Sequence, residues 1–183
     1  MQNKTRLFVV GSTVSAALIG GFFISGPSEK QAIETAKKEG FTAKPIIPTK
    51  GDVPTIGHGT TVYPNGVRVR MSDPAISREK GMYFLRYHMN KDADRFNKTI
   101  LNVPIYQYEY DAFIDFTYQY GMGNWQKSSM LRNLKQGKYK QACDSLLKYK
   151  YAAGYDCSTP GNKRCAGVWT RQKERYKKCI GAQ

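Results

Sequence analysis

The chain has 183 residues and a formal net charge of +15 at pH 7, from 29 Lys and Arg against 14 Asp and Glu. Hydrophobic residues make up 40% of it and aromatic residues 13%, which is enough to bury a core and excludes a disordered or collagen-like chain. The length fits one domain of ordinary size. The excess of positive charge indicates a polyanionic partner, such as an anionic membrane surface, an acidic cell-wall polymer or a nucleic acid.

Residues 7–25 form the first informative segment, 19 residues without a charge that follow Lys4 and Arg6. A helix of this length just spans a bilayer core of about 30 Å. The preceding positive charges predict a cytoplasmic N-terminus and an exported body. Because nine of the 19 residues are Gly, Ala, Ser or Thr, two interpretations stay open: a cleaved secretory signal peptide, or an uncleaved helix that lipid holds only marginally.

The next three segments predict a helix, a small sheet and a second helix. Residues 28–40 combine a Ser N-cap, helix formers and a terminal Gly, which predicts a short helix ending at Glu39. Residues 41–70 alternate β-branched residues with turn signals, as in a small antiparallel hairpin sheet. Asp73 followed by Pro74 predicts the start of a helix that runs to about residue 98.

The remaining chain is predicted to be helical. Four helices are expected, at about 105–119, 128–135, 138–149 and 168–180. A small sheet lobe followed by a larger helical lobe is an α+β plan, and a cleft is expected between the two lobes.

Glu39 is the first candidate for chemistry. A carboxyl at the C-terminal end of a helix meets the negative end of the helix dipole, which favours its protonated form, and partial burial in a cleft would add to this effect. A protonated carboxyl is what a glycosidase uses to protonate a leaving oxygen. Asp52 and Thr55 follow in the predicted hairpin and are suited to holding a water, as an inverting glycosidase requires. From its position alone, Glu39 is better explained as a solvated surface residue, and it is the hairpin that follows which favours the catalytic interpretation.

Several segments, in the right order between residues 33 and 180, resemble the phage-type lysozymes, the muramidases of glycoside hydrolase family twenty-four. The segments that carry the resemblance are EGF at 39–41, PTIGHG at 54–59, QYEYDAFIDF at 107–116, YGMGNW at 120–125, SSML at 128–131, and CAGV at 165–168 followed by Arg171 and Cys179. The resemblance implies a lysozyme-like α+β fold, with a small β-hairpin lobe and a larger helical lobe.

The resemblance also implies a catalytic set of a Glu, a hairpin Asp and a Thr. Glu39 and Thr55 match this set, but Pro48 and Thr49 stand where the family carries its Asp. The only acid in the hairpin is Asp52. Either Asp52 has taken over the role, which is the interpretation we favour, or Thr49 and Thr55 hold the water without it.

Five residues besides Thr49 are candidates for substrate binding. His58 lies in the same predicted strand as Thr55, although packing or surface exposure is the favoured explanation. Arg171 either pairs with Glu39, as an Arg of the closing helix does in the family, or is equally explained as a surface residue of a basic helix. The remaining candidates are Met122, Asn124 and Trp125, in a Gly-rich turn of the kind that lines a saccharide cleft, and Trp125 would equally fit a core.

The four cysteines all lie after residue 142 and predict two disulfides. They form no C-x-x-C pair and have no neighbouring histidine, which argues against zinc. Of the three possible pairings, Cys157 with Cys165 and Cys143 with Cys179 is favoured.

The leading functional hypothesis is an exported phage muramidase that cleaves the β-1,4 bond between N-acetylmuramic acid and N-acetylglucosamine for host lysis, without a cofactor. It resembles the signal-anchor-release endolysins, with an anchor over residues 1–27 and a catalytic domain over 28–183. The expected partners are peptidoglycan and, through the N-terminal segment, the host inner membrane, from which the monomer passes to the periplasm. No nucleic-acid-binding motif accompanies the positive charge. Two alternatives are a lytic transglycosylase and a basic protein that disrupts envelopes without catalysis.

Overall fold

The computed structural model describes residues 5–9 and 23–181. These residues form two compact units, one of residues Gly26–Ala93 and the other of the described residues up to Ser25 together with those from Asp94 onward. Most of the segment predicted to cross the membrane, residues 10–22, lies outside the described residues. None of the helices formed by the described residues is both long and apolar enough to cross a membrane.

The Gly26–Ala93 unit contains helix α1 (Glu29–Glu39), the antiparallel strands β3 (Thr42–Ile46) and β4 (Thr55–Gly57), and the first part of helix α2 (Arg78–Asn97). The predicted caps of α1 are confirmed. The Ser28 side chain accepts the N–H of Gln31 at 3.1 Å, and Gly40 ends the helix with φ of 71°. The hairpin sheet predicted over 41–70 is present as this strand pair.

The predicted start of α2 at Asp73 and Pro74 is wrong, because the Asp73 carboxylate has other partners. Its Oδ2 accepts the hydroxyl of Tyr63 and the backbone N–H of Arg70, each at 2.8 Å, and so closes a turn. The helix begins later, where the Ser77 hydroxyl oxygen accepts the N–H of Lys80 at 3.1 Å.

Two small apolar clusters stabilise this unit. Residues of α1 and α2 form the first, and the loop and strand residues that pack against α2 form the second. Their buried members are Ala32, Ala36, Leu85 and Met89 in the first, and Ile56, Val69, Ile76 and Phe84 in the second.

The second unit is mainly helical. Its elements are α3 (Gln107–Lys127), α4 (Ser129–Lys135), α5 (Tyr139–Asp144), a 3-10 helix (Ser145–Lys148), the hairpin strands β5 (Tyr151–Ala152) and β6 (Tyr155–Asp156), and α6 (Ala166–Cys179). The hairpin of β5 and β6 was not predicted. Helix α3 also runs past its predicted end, with a break at Gly121, whose φ of 79° is not helical. The α+β class predicted from the sequence is confirmed.

The flanks of the apolar N-terminal segment form a short parallel strand pair, β1 (Phe8–Val9) with β2 (Phe23–Ile24). Leu7 also pairs with Ile105, through backbone hydrogen bonds of 2.8 and 2.9 Å. In this structure the two ends of the predicted helix, residues 8–9 and 23–24, are therefore strands, and Val9 and Ile24 bury their side chains in the core of the helical unit.

Both predicted disulfides are present. Cys143 pairs with Cys179, and Cys157 pairs with Cys165. The first joins α5 to the end of α6, and the second closes the loop that follows β6. The described part of the chain contains no free cysteine.

Candidate active site

Glu39 is the last residue of α1, and its side chain is exposed rather than partly buried. The chain turns sharply after it, since Gly40 adopts a positive φ that disfavours any residue with a Cβ. The Gly40 carbonyl is hydrogen-bonded to Nδ1 of His58, which follows β4. This contact ties the helix end that carries Glu39 to the residue that follows β4.

The β3–β4 pairing places Thr55 on the same hairpin, at the start of β4 and opposite Ile46. Thr55 is half-buried. The chain returns toward Glu39 after β4, because a Cβ added at Gly59 would lie 4.0 Å from Oε2 of Glu39. The structure therefore brings Glu39 close to the turn at His58 and Gly59, which follows β4.

Asp52 and Thr49, the two candidates for the second catalytic role, share one exposed turn. The N–H of Asp52 donates to the Thr49 carbonyl at 3.0 Å, and the Thr49 hydroxyl donates to Oδ2 of Asp52 at 3.5 Å. Oδ1 of Asp52 accepts the N–H of Val53 at 2.8 Å. The two candidates thus form one polar group rather than two separate sites.

His58 does not present its ring to solvent as a substrate-binding residue would. It is only 6% exposed, and its ring packs 5.4 Å from that of Phe41. The prediction that His58 binds substrate directly is therefore corrected: its side chain packs inside the Gly26–Ala93 unit and is hydrogen-bonded to the Gly40 carbonyl.

Trp125 is another of the predicted substrate-binding residues, and the structure places it in the core instead. It is fully buried, its ring lies 4.7 Å from Phe96 and 5.4 Å from Phe113, and its Nε1 donates to the Thr99 hydroxyl at 2.9 Å. Because this indole is fully buried and its N–H is already hydrogen-bonded, it is not available to stack on a sugar.

The other candidates of the helical unit are more accessible. Asn124 is exposed and donates from Nδ2 to the Tyr120 carbonyl at 2.7 Å, and Met122 packs half-buried against the core. Arg171 is half-buried on α6. Its pairing with Glu39 stays a prediction.

Two ion pairs in the helical unit were missed by sequence reasoning. Arg175 is 3% exposed, and its Nε donates to Oδ2 of Asp115 at 2.5 Å. Arg6 pairs with the buried Glu109 at 2.8 Å. The available signal was that Asp115 and Glu109 stand within the apolar run of residues 107–116, where a buried carboxylate requires a partner.

Among the side chains that the structure describes, no cluster of three or more His, Cys, Asp or Glu residues is arranged to hold a metal ion. Glu39, Thr55 and the turn of Thr49 and Asp52 all belong to the Gly26–Ala93 unit, and they supply a carboxyl, a hydroxyl and an exposed acidic group. Such an arrangement suits proton transfer and the positioning of a water.

The α+β fold is that of the lysozymes. The endolysin from Escherichia coli O157:H7 phage FAHEc1 matches it with a TM-score of 0.70, over 85% of this chain and 94% of that one, at 22% sequence identity. The SAR-endolysin of Bacteriophage PS119 is 27% identical over 186 residues, covering 98% of this chain and 94% of its own. The SAR-endolysin of Enterobacteria phage PA-2 is 28% identical over 181 residues, covering 93% and 94%.

Residues 36–175 match the family described as phage lysozyme. The chain therefore belongs to the phage lysozyme family, the hydrolases with which phages act on peptidoglycan.

Proposed function

We propose that the chain is a muramidase that hydrolyses the β-1,4 bond between N-acetylmuramic acid and N-acetylglucosamine for host lysis. The observation that carries this proposal is the position of Glu39. It ends α1, is accessible, and lies next to the turn after the hairpin strand that carries Thr55.

In the proposed reaction, Glu39 protonates the glycosidic oxygen as the bond to the anomeric carbon breaks. Asp52 accepts a hydrogen bond from the attacking water and takes its proton, while the Thr55 hydroxyl orients that water. Because the water attacks from the face opposite the leaving group, the configuration is inverted. Thr49 holds Asp52 through its hydroxyl, so it assists rather than replaces the carboxylate.

Glu39→Gln tests the general acid. The amide has the same shape but no proton to donate, so the initial rate on purified peptidoglycan should fall by about 10²–10⁴-fold. Glu34→Gln, a change at a half-buried carboxyl of the same helix, serves as the matched control for charge. Activity of Glu39→Gln within threefold of the wild type, with both variants folded by circular dichroism, would remove Glu39 from the mechanism.

A lytic transglycosylase is the second candidate function, and the exposed position of Asp52 is the observation that favours it. Such an enzyme needs one acid-base carboxyl, here Glu39, and no hydrolytic water. Mass spectrometry of the released muropeptides separates the two: reducing ends indicate hydrolysis, and anhydromuramic ends indicate transglycosylation. If the chain is instead a basic protein that disrupts envelopes without catalysis, its Glu39→Gln variant should still lyse cells.

For localisation we propose an uncleaved anchor over residues 1–27 and a catalytic domain over 28–183, with the N-terminus cytoplasmic before release to the periplasm. The contacts of Arg6 support this order of events. Its guanidinium lies over the rings of Tyr106 and Tyr139, 4.3 and 3.6 Å from their centroids, and pairs with Glu109. An Arg6 on the cytoplasmic side of a membrane has no access to an exported Glu109, so this conformation fits the released protein.

A further inference from the structure

The Gly26–Ala93 unit contains an open pocket of about 420 Å³ that does not include the proposed catalytic residues. Its functional lining consists of three aromatic side chains and two charged ones, Tyr63, Tyr83, Phe84, Asp73 and Lys80. Glu39, Asp52 and Thr55 are not among its lining residues. The volume lies within the range of pockets that hold small organic ligands.

The aromatic rings form one connected group. The rings of Tyr63 and Phe84 are 5.3 Å apart between centroids, and those of Tyr83 and Phe84 are 5.8 Å apart. Phe84 is buried, whereas Tyr83 is 56% exposed in the first turns of α2. The pocket therefore offers the face of a large ring to solvent from a rigid element, with further rings behind it.

The charged groups supply fixed hydrogen-bonding positions. Oδ2 of Asp73 is held by the backbone N–H of Arg70 and the hydroxyl of Tyr63, and these bonds keep the pKa of Asp73 below its usual value. Lys80 also lines the pocket, with Nζ 5.9 Å from the centre of the Phe84 ring. One negative and one positive group line the pocket, so its charge complements a neutral polar molecule rather than a polyanion.

We propose that this pocket binds a neutral N-acetylhexosamine unit of a glycan strand, as a second site that holds the polymer while a distant bond is cleaved. The inference rests on the proposed muramidase function for its choice of sugar. The ring of Tyr83 stacks on the apolar C–H face of the sugar, Asp73 accepts hydrogen bonds from its hydroxyls, and Lys80 donates one to its acetamido carbonyl. Neither a bare hydrocarbon nor a phosphate polymer uses all three groups.

Binding can be measured without catalysis. The full chain carrying Glu39→Gln is labelled with nitrogen-15 and titrated with the N-acetylglucosamine tetramer, and the backbone amide shifts are followed. We expect saturable shifts at the amides of residues 63–66 and 80–84. Adding Tyr83→Ala to this chain should weaken its affinity for the tetramer by about 2–10-fold, the loss expected of one stacked ring.

Two variants control for side effects. Tyr83→Phe keeps the ring and should retain the affinity for the tetramer. Because Ala is a good helix former, helix α2 should persist in Tyr83→Ala. Tyr151→Ala removes a tyrosine that is 60% exposed on β5, outside the pocket, and should leave that affinity unchanged.

Absence of shifts at residues 63–84, or equal affinity in Tyr83→Ala and the parent chain, would overturn the inference. So would shifts produced by a free stem peptide but not by the sugar tetramer, since the occupant would then be a peptide. The two proposals fail separately: hydrolysis without these shifts contradicts only the second site, and shifts without hydrolysis by the wild type contradict only the muramidase.

Discussion

At Glu39 the backbone does much of the positioning. The positive φ of Gly40 directs the chain away from α1, and the hydrogen bond between the Gly40 carbonyl and His58 holds that turn against the end of β4. His58 thus acts on the site through the main chain. The second catalytic role that we propose depends on a shorter-range arrangement, the turn that brings Thr49 and Asp52 together.

Asp52→Asn and Thr49→Val separate the two interpretations of that turn. We expect Asp52→Asn to reduce kcat more than Thr49→Val, because only Asp52 offers a carboxylate that can take a proton from water. The measurement is the initial rate on purified peptidoglycan, with both variants checked by thermal unfolding. The reverse order would assign the role to the threonines.

The Arg175–Asp115 pair is buried in the helical unit. We expect Arg175→Met to lower the free energy of unfolding by about 3–5 kcal/mol, because it removes the guanidinium that pairs with a buried carboxylate. Arg171→Met, on the same helix but half-buried, should cost about 1 kcal/mol or less and act mainly on activity. Urea unfolding measures both, and equal losses would contradict the assignment.

At the scale of elements, helix α1 and the β5–β6 hairpin are stabilised by different kinds of contact. Helix α1 is capped by its own neighbours, whereas the hairpin of β5 and β6 depends on contacts around it. Lys150 pairs with Asp156 at 2.7 Å, and the Cys157–Cys165 bond closes the loop that follows. Asp156 also accepts the hydroxyl and the backbone N–H of Ser158, at 2.6 and 2.9 Å.

These contacts make the hairpin sensitive to acid. The hydrogen bond from Lys150 and those from Ser158 lower the pKa of Asp156 from 3.8 to about 2. Its stabilising effect is therefore fully present above pH 3.8 and is lost as the pH falls through about 2. At pH 7 we expect Asp156→Asn to unfold at a lower temperature than the wild type. This difference in unfolding temperature should shrink as the pH falls to about 2 and disappear below it.

Asp144→Asn serves as the control for this effect, because Asp144 forms an ion pair with the exposed Lys140 one turn earlier in α5. It should change the unfolding temperature little at either pH. A wild-type advantage over Asp156→Asn that persists unchanged at pH 2 would contradict the role of the Asp156 carboxylate.

At the scale of the whole molecule, the proposed anchor would give the N-terminal flanks two alternative environments, lipid before release and the helical unit after it. In the structure Val9 and Ile24 are buried in the protein core, and Arg6 neutralises Glu109. The nine small residues of the apolar segment make its retention in lipid less favourable than that of a Leu-rich span. Together these terms favour release.

Two variants shift this balance from opposite sides. Gly20→Leu with Gly21→Leu strengthens the lipid side and should trap the protein in the membrane and delay lysis. Glu109→Gln leaves the anchor unchanged but removes the partner of Arg6, so it should increase the membrane-bound fraction and lower the unfolding temperature of the released form. Fractionation of membrane and periplasm, with intact-mass measurement, reads out both. A periplasmic species starting near Ser28 would mean an ordinary cleaved signal peptide.

The sequence by itself determined the features that depend on near neighbours. The caps of α1 at Ser28 and Gly40, the hairpin that follows Glu39, and the Cys157–Cys165 bond could be predicted, because short-range geometry restricts the choices. The Cys143–Cys179 bond then joins the two cysteines that remain. The order of motifs was also sufficient to indicate the family.

Only the tertiary structure decided which partner each polar or aromatic group would take. Trp125 has the same neighbours in sequence whether it plugs a core or lines a site, and its burial depends on Phe96, far away along the chain. Asp73 can cap a helix or close a turn, and the hydroxyl of Tyr63 decides between them. Arg175 pairs with Asp115 across 60 residues. Such contacts depend on how elements pack, which spacing along a single chain does not specify.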